Sequence, residues 1–390
     1  MSKSGDDKKN GKTRKILSLV FWLVILVAVV LVVLSLLPGK TAGQSLLSDI
    51  LVSRTPGISV SEFNFEVGRD RVFAHANSHV ASVGTLGLQV LGPDGEETLR
   101  SLFRVTSPTI TEKGGFFLAY DIGGTSLRVF NASTILSSIE TEGIIVSASI
   151  NKNGWFCIVS QENTGFRSTV SVYNSTGTPV YMVNVGTGFV LSAELSADNK
   201  NLAILSMTER GSQITFYNGI DSHKDEPDDI YYFYSLIALD IEFITNTKLL
   251  AFTTQAVYIV DFSGGGTSLI YDFSAKRLAG YTYNDKSIII HLYDYSIGYS
   301  GRTIHINFDG DVIAERESFS EFIAVALYRS TIVILQNDGF AFYDEQLKRH
   351  PASESSSTTA TAGRILALSD DLALAAGDHF AIIIRRGEEN

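Results

Sequence analysis

Residues 192–217 read SAELSADNKNLAILSMTERGSQITFY, and this stretch contains the pattern that decides the fold. A strand of small residues is followed by a polar turn, residues 197–201, and then by a strongly apolar strand, Leu202 to Leu205. Asp and Asn tolerate the left-handed backbone that a tight hairpin requires. An alternating strand, Ile214 to Tyr217, then runs into Asn218. The stretch therefore predicts consecutive antiparallel strands.

The alternating strand recurs eight times, and each copy runs into a turn of polar residues or glycine. The copies begin 39, 43, 44, 43, 47, 36 and 40 residues apart. Their first residues are Leu88, Leu127, Val170, Ile214, Val257, Ile304, Phe340 and Phe380. Internal repeats of this length are typical of propeller blades.

Four short antiparallel strands cannot bury both of their faces alone, so such units are stable when they stack radially. We therefore expect an all-β fold, a β-propeller with eight blades over residues 56–390, with seven blades as the alternative. The last repeat ends after its third strand. Its outermost strand should come from the segment before the first blade, within residues 45–60, so that the two ends of the chain close the ring. Residues 38–55 are expected to be a linker that could contribute to this closing strand.

A 22-residue segment, Ile16 to Leu37, carries no charge. As a helix it would span about 33 Å, which matches the hydrocarbon core of a bilayer. Six basic residues precede it and only Lys40 immediately follows, so the positive-inside rule places residues 1–15 in the cytoplasm and the rest outside the cell membrane. The alternative is a cleaved signal peptide, because small residues follow at positions 41–43, although its apolar region is usually only about 7–15 residues long.

The turn Ser196 to Lys200 and the repeat length resemble those of WD40-like and quinoprotein-like propellers. The whole layout also resembles a family of uncharacterised bacterial, clostridial-type proteins with one transmembrane helix and a propeller-like domain of unknown function. The Gly-His and Trp-Asp dipeptides of WD40 blades are absent, as are the tryptophan docking motifs of quinoprotein blades. The resemblance therefore implies an architecture and no particular activity.

Charge is divided unevenly along the chain. Residues 1–40 carry seven basic and two acidic residues, which leaves 24 basic and 40 acidic residues, a net charge of −16, in residues 41–390. Nucleic acid is excluded as a partner because phosphate binding requires a basic face.

One candidate binding loop is Tyr293 to Arg302, a connection between second and third strands with the candidate contacts Tyr293, Tyr295, Tyr299 and Arg302. Tyrosine gives a large contact area at low entropic cost, and propellers commonly bind ligands on the face that carries such loops. The alternative is a long hairpin whose tyrosines cover the edge of a blade.

A second unusual loop, Asp221 to Asp229, is acidic and joins third and fourth strands on the opposite face. It could hold calcium, but its spacing differs from that of a calcium-binding loop, which favours a solvated acidic loop. No metal-binding or catalytic motif is found, and the glycines after Ser263 form a turn. Cys157 lies in an apolar run and is expected in the core, and residues 353–362 are an excursion of low complexity in the seventh blade.

Three functions fit these observations. The first is an interaction scaffold that needs no cofactor and binds a protein, peptide or glycan. The second is a propeller enzyme, lactonase-like or lyase-like, which requires carboxylates or histidines that converge on the inner strands. The third is a quinoprotein-like cofactor-binding domain. The absence of a catalytic motif favours the scaffold.

Overall fold

The computed structural model describes residues 58–62, 65–161, 167–222, 226–294, 298–350, 362–377 and 380–386. The chain divides into two compact units, residues 1–55 and 56–390, and all described residues belong to the second. The predicted membrane helix Ile16–Leu37 and the predicted linker 38–55 lie outside the described residues. Within the described part, no helix combines the length and apolar character needed to cross a bilayer.

Thirty-one strands of the described residues form eight antiparallel sheets, which are the blades of a propeller. Strand β1 (Ile58–Glu62) belongs to blade 8, and the first four blades consist of β2 (Val72–Ala76), β3 (His79–Gly84), β4 (Gly87–Leu91), β5 (Glu97–Leu102), β6 (Pro108–Lys113), β7 (Phe116–Asp121), β8 (Ser126–Phe130), β9 (Ile135–Glu140), β10 (Ile144–Ile150), β11 (Phe156–Gln161), β12 (Ser168–Tyr173), β13 (Pro179–Val185), β14 (Phe189–Leu195), β15 (Asn201–Thr208), β16 (Gly211–Asn218) and β17 (Asp229–Tyr234).

The remaining blades follow in chain order, and a single 3-10 turn, Ile220–Ser222, precedes β17. Their strands are β18 (Ala238–Phe243), β19 (Lys248–Thr253), β20 (Ala256–Asp261), β21 (Gly266–Asp272), β22 (Arg277–Tyr283), β23 (Ser287–Tyr293), β24 (Gly301–Asn307), β25 (Val312–Ser318), β26 (Phe322–Tyr328), β27 (Thr331–Gln336), β28 (Gly339–Tyr343), β29 (Arg364–Ala367), β30 (Leu372–Ala376) and β31 (Ala381–Arg386). Blade 7 shows three strands, β26 to β28, in the described residues, and its predicted excursion lies outside them except for Ala362.

The predicted all-β fold with eight blades is confirmed. All eight copies of the alternating strand are the third strands of their blades. The first strands line the central channel, because the first strands of neighbouring blades contact one another, as β10 contacts β14 and β22 contacts β26. The repeat read from the sequence therefore corresponds to one blade.

Antiparallel strands give the ring two different faces. Connections from second to third strands and from one blade to the next lie on one face, which we call the loop face. The hairpin turns between first and second strands and between third and fourth strands lie on the other, which we call the turn face. First strands run from the loop face to the turn face, and fourth strands run back.

Ring closure joins the two ends of the described chain. Strand β1 is the outermost strand of blade 8 and pairs with β31 from Ile58 opposite Arg386 to Glu62 opposite Ile382. Closure by terminal segments is thus confirmed. The strand begins later than expected, and only its first three residues fall within 45–60.

The hydrophobic core lies between blades, in layers that each contain residues of two neighbouring sheets. One layer combines Val159 and Val172 of blade 3 with Leu202 and Ile204 of blade 4. Cys157 in the same layer is a free, fully buried cysteine, as expected from its apolar run. Burial raises the pKa of its thiol to about 12, so it remains protonated. Covering both faces of every blade is what holds the ring together.

Five of the eight polar turns predicted after the third strands are Asx turns. In each of the five, a side-chain oxygen accepts a hydrogen bond from the backbone N–H two residues later, at Asn131, Asn174, Asp261, Asn307 and Asp344. The glycine-rich run after Ser263 lies in one of them, between β20 and β21, as predicted. These turns fix the hairpins that the alternating strands enter.

On the turn face, side chains near the first hairpins connect neighbouring blades. Asn151 Nδ2 donates to the carbonyl oxygen of Ser196 in the next blade at 2.9 Å. In the same way, Asn201 donates to the carbonyl oxygen of Asn246, and Asn284 donates to that of Arg329. Asn199, in the turn read first from the sequence, has the expected left-handed backbone, with φ of 63°. The hairpin turns therefore fix the blades to one another as well as reversing the chain.

We expect Asn151→Ala to destabilise the propeller by about 2 kcal/mol, because this side chain is only 2% exposed and its loss leaves buried backbone groups without partners. Urea unfolding of a fragment of residues 56–390 measures the change. The control is Asn174→Ala, whose side-chain bonds stay within one exposed turn, and it should cost about 1 kcal/mol or less. Equal losses in the two variants would contradict the inter-blade role.

Candidate functional site

The loop face carries most of the large apolar side chains that are exposed in the described residues. Fourteen such side chains are at least 39% exposed, and ten of them lie on this face. They are Leu86, Leu102, Ile122, Ile144, Phe189, Tyr234, Ile237, Leu239, Tyr299 and Phe319. The other four, Met182, Ile230, Leu269 and Val312, lie on fourth strands at the periphery. Apolar exposure is thus concentrated on one face of the ring.

Strand ends and loops produce this concentration. Leu102 is the last residue of β5 and is 76% exposed, whereas Phe189 is the first residue of β14 and is 63% exposed. Phe319, also 76% exposed, lies in the connection from blade 6 to blade 7. None of these side chains can reach the layers between blades, because those layers end where the strands end. Exposed apolar groups that share one face are typical of protein interaction sites.

The tyrosine-rich loop lies on the same face, between β23 and β24, as its sequence predicts. Tyr299 is 48% exposed, but Tyr293 is buried, and its Oη accepts a hydrogen bond from the backbone N–H of Phe322 at 2.7 Å. Tyr293 therefore connects blade 6 to blade 7. Arg302 pairs with Glu315 at 3.0 Å on the adjacent strand, and Tyr295 lies outside the described residues. The structure thus brings Tyr299, and not Tyr293 or Arg302, to the exposed face.

The acidic loop Asp221 to Asp229 lies on the turn face, between β16 and β17, as predicted. Its residues 223–225 are outside the described part of the chain. Asp228 Oδ2 accepts a hydrogen bond from the backbone N–H of Asn218 at 2.7 Å, so this carboxylate caps the end of β16.

A polar cluster inside the channel has no counterpart in the motifs read from the sequence. We call it the channel cluster and define it by six residues of the first strands: Lys113, Glu194, Asp240, Glu242, Tyr281 and Tyr283. Lys113 of blade 2 forms an ion pair with Glu242 of blade 5. Because these blades are not neighbours, the lysine spans the channel. The pair lies toward the turn face, where the first strands end.

Hydrogen bonds extend the channel cluster to blade 6. Tyr281 Oη donates to Asp240 Oδ2 at 3.3 Å, and Tyr283 Oη donates to Glu242 Oε2 at 3.3 Å and to Asp240 Oδ2 at 3.4 Å. Burial and the neighbouring Asp240 carboxylate raise the pKa of both phenols, so both tyrosines stay protonated and act as donors. The two carboxylates of blade 5 are therefore held by the protein's own side chains.

Glu194 of blade 4 is the titratable member of the channel cluster. The pKa of its carboxyl is raised to about 8, mainly by burial; the charge of Lys113 opposes this shift and the charge of Asp240 adds to it. Burial also raises the pKa of Asp240 and lowers that of Lys113. The cluster therefore retains a proton at neutral pH, because three carboxyls share one ammonium group in a poorly solvated space.

This convergence matches part of what a propeller enzyme would require, since carboxyls of several inner strands meet in the channel. Within the residues that the structure describes, no group of three or more His, Cys, Asp or Glu side chains is arranged to hold a metal ion. Asp240 and Glu242 already have lysine and tyrosine partners. The arrangement is suited to tying blades 2, 5 and 6 together across the channel.

The sequence contained one signal for the channel cluster. Glu194 and Glu242 occupy equivalent positions in the first strands of two consecutive blades. Each lies four residues after the residue that precedes a β-bulge, Val190 in β14 and Ala238 in β18. A carboxyl at the same place in two consecutive repeats marks a position on the channel. The partner Lys113 could not be found this way, because it lies three blades away.

Comparison with known proteins identifies the family and the fold. A family model described as a family of unknown function, DUF5711, matches residues 60–360. No curated protein sequence matches the chain.

Similar solved structures include Sqt1 of Saccharomyces cerevisiae, with 10% identity and a TM-score of 0.59, covering 84% of this chain and 98% of that one. BamB of Moraxella catarrhalis has 14% identity and a TM-score of 0.52, covering 85% and 99%. The WD40 domain of SCAP from fission yeast has 13% identity and a TM-score of 0.57, covering 85% and 95%. At these identities the similarity establishes the fold alone.

We expect the free energy of unfolding of residues 56–390 to fall as pH rises between 4.5 and about 8, because native Glu194 keeps a proton that the unfolded chain releases above its ordinary pKa of 4.5. This one proton contributes a slope of at most about 1.4 kcal/mol per pH unit. Urea unfolding at several pH values measures it.

Glu194→Gln should flatten that slope and gain stability relative to the native sequence as pH rises. Exposed Glu209→Gln serves as the control and should leave the slope unchanged. If the native and Glu194→Gln fragments lose stability in parallel, the protonated carboxyl is not the source.

Proposed function

The chain belongs to the DUF5711 family of unknown function, and we propose that it is a membrane-anchored propeller that binds a protein or peptide partner outside the cytoplasm through its loop face. The ten exposed apolar side chains on that face carry the proposal. Their burial against a partner would be favourable by about 25 cal/mol per Å² of apolar surface removed from water. Apolar contacts also favour protein or peptide over glycan.

The difference between the two faces supports this assignment. The turn face is committed to hairpin turns and to bonds between blades, such as those of Asn151 and Asn201. On the loop face, Leu102 and Phe189 cover no core layer, and Phe189 remains 63% exposed although the guanidinium of Arg167 lies 5.0 Å from its ring centroid. A propeller fold shared with WD40 domains supports an interaction scaffold in general terms, although a fold by itself names no partner.

The membrane anchor is the second part of the proposal. The uncharged segment Ile16–Leu37 is long enough to span a bilayer, and the basic residues that precede it place the N-terminus in the cytoplasm. Strand β1 begins at the turn face, because fourth strands run from the turn face to the loop face.

Replacing Leu102 and Phe189 together by Asp should abolish crosslinking of the full-length protein to its partner in intact cells, since charged side chains cannot be buried against apolar groups without a large cost. Quantitative mass spectrometry of crosslinked adducts measures the loss. The control replaces Met182 and Leu269 by Asp, because both are exposed apolar residues on fourth strands. Adducts that survive the first replacement, or that both replacements remove, would refute the loop-face assignment.

Replacing Val27 and Val30 by Arg should move the protein from the alkali-resistant membrane fraction to the soluble fraction, because each charge at the centre of a membrane helix costs about 2.5 kcal/mol or more. The control replaces both residues by Leu, which preserves the apolar segment. Protease added to intact cells should digest the propeller and spare an epitope tag at the N-terminus. Retention of the arginine variant in membranes would exclude this segment as the anchor.

A further inference from the structure

A groove of about 370 Å³ lies between blades 6 and 7 and is lined by residues of β25, β27 and β28. It is continuous with the loop face, since Phe319 and Ser320 of the connection between these blades line it. Its volume lies within the range of protein pockets that hold small ligands or a few residues of a peptide.

Two arginines meet at one wall of the groove. The guanidinium carbon of Arg316 lies 5.0 Å from the ring centroid of Tyr343, which stacks the two groups. Arg349 is paired with Tyr343 by a β-bridge and lines the same groove. Stacking on an aromatic ring holds a guanidinium plane in place and leaves its in-plane N–H groups directed outward. Those donors match the two oxygens of a carboxylate.

The acidic residues of the groove already have partners. Asp338 Oδ2 accepts a hydrogen bond from Ser320 Oγ at 2.8 Å, and Glu317 lies 3.8 Å from the guanidinium of Arg302 outside the groove. The contact with Arg302 offsets the charge of Glu317. Residues 41–390 carry a net charge of −16, whereas the two arginines and the two acidic residues that line the groove balance one another.

The rest of the lining suits a peptide. Phe319, which is 76% exposed, provides accessible apolar surface in the groove, and Gln336 Nε2 donates to Ser318 Oγ at 2.6 Å beside it. An apolar residue next to an acidic one could thus fill the groove while its carboxylate meets the arginines. A free small anion would use the arginines but would leave the apolar surface uncovered.

We propose that the groove between blades 6 and 7 binds an acidic residue of an extended partner peptide, with Arg316 as its carboxylate contact and an adjacent apolar side chain on Phe319. This inference rests on the proposed function, since it assigns one contact point within the loop face. It requires the partner to carry a carboxylate, a requirement that the exposed apolar residues of the loop face do not impose.

The proposal can be tested by measuring the binding of two end-blocked, fluorescently labelled pentapeptides to the full-length protein in detergent by fluorescence polarisation. One reads alanine, leucine, glutamate, phenylalanine, alanine, and the other has glutamine in place of glutamate. The glutamate peptide should bind about tenfold more tightly. Arg316→Gln should remove that difference and leave binding of the glutamine peptide unchanged. Equal binding of the two peptides to the native protein would overturn the proposal.

Arg277→Gln is the matched control, because Arg277 stacks on Tyr293 at 4.8 Å in the same blade but does not line the groove. It should keep the preference for glutamate, and a loss equal to that of Arg316→Gln would show a general charge effect and overturn the proposal. If free acetate competes as strongly as the glutamate peptide, the groove is a general anion site and the proposal is overturned.

Crosslinking in intact cells separates failure of the groove proposal from failure of the proposed function. Crosslinking that depends on Leu102 and Phe189 but not on Arg316 would refute the groove proposal alone. Crosslinking that depends on none of these three residues would refute the proposed function.

Discussion

Every blade of this protein is a thin sheet with two apolar faces, and the whole structure depends on covering both of them. A single sheet of four short strands exposes too much apolar surface to be stable in water. Each core layer is therefore shared by two blades, as Cys157 and Val172 of blade 3 share a layer with Leu202 of blade 4. A linear stack would leave two faces bare, so only a closed ring satisfies the constraint, and the pairing of β1 with β31 completes it.

Closure of the ring gives its two faces different tasks. The hairpin turns approach one another closely on the turn face, where Asn151 and Asn284 connect each blade to the next. The channel cluster adds a longer connection, because Lys113 reaches from blade 2 to Glu242 of blade 5. The loop face lacks comparable asparagine bonds between blades in the described residues and carries the exposed apolar side chains instead. Asparagine bonds between blades and exposed apolar side chains thus lie on opposite faces of the described ring.

The channel cluster illustrates how carboxyls from distant repeats acquire properties that none has alone. Glu194 would be an ordinary surface acid in an isolated blade. In the ring it lies near Asp240 in a poorly solvated space, and its pKa rises to about 8. Solved structures with 10% to 14% identity share the fold.

Local patterns in the sequence determined the strands, the turns, the blade number and the closure of the ring, because alternation, hairpin residues and repeat length act over a few neighbouring residues. They also placed the tyrosine-rich loop and the acidic loop on their faces and Cys157 in the core. The sequence could not show that Tyr293 is buried, that Arg302 pairs with Glu315, or that Lys113 meets Glu242. Those contacts join residues of different strands or blades, and only closing the ring decides which side chains face one another across it.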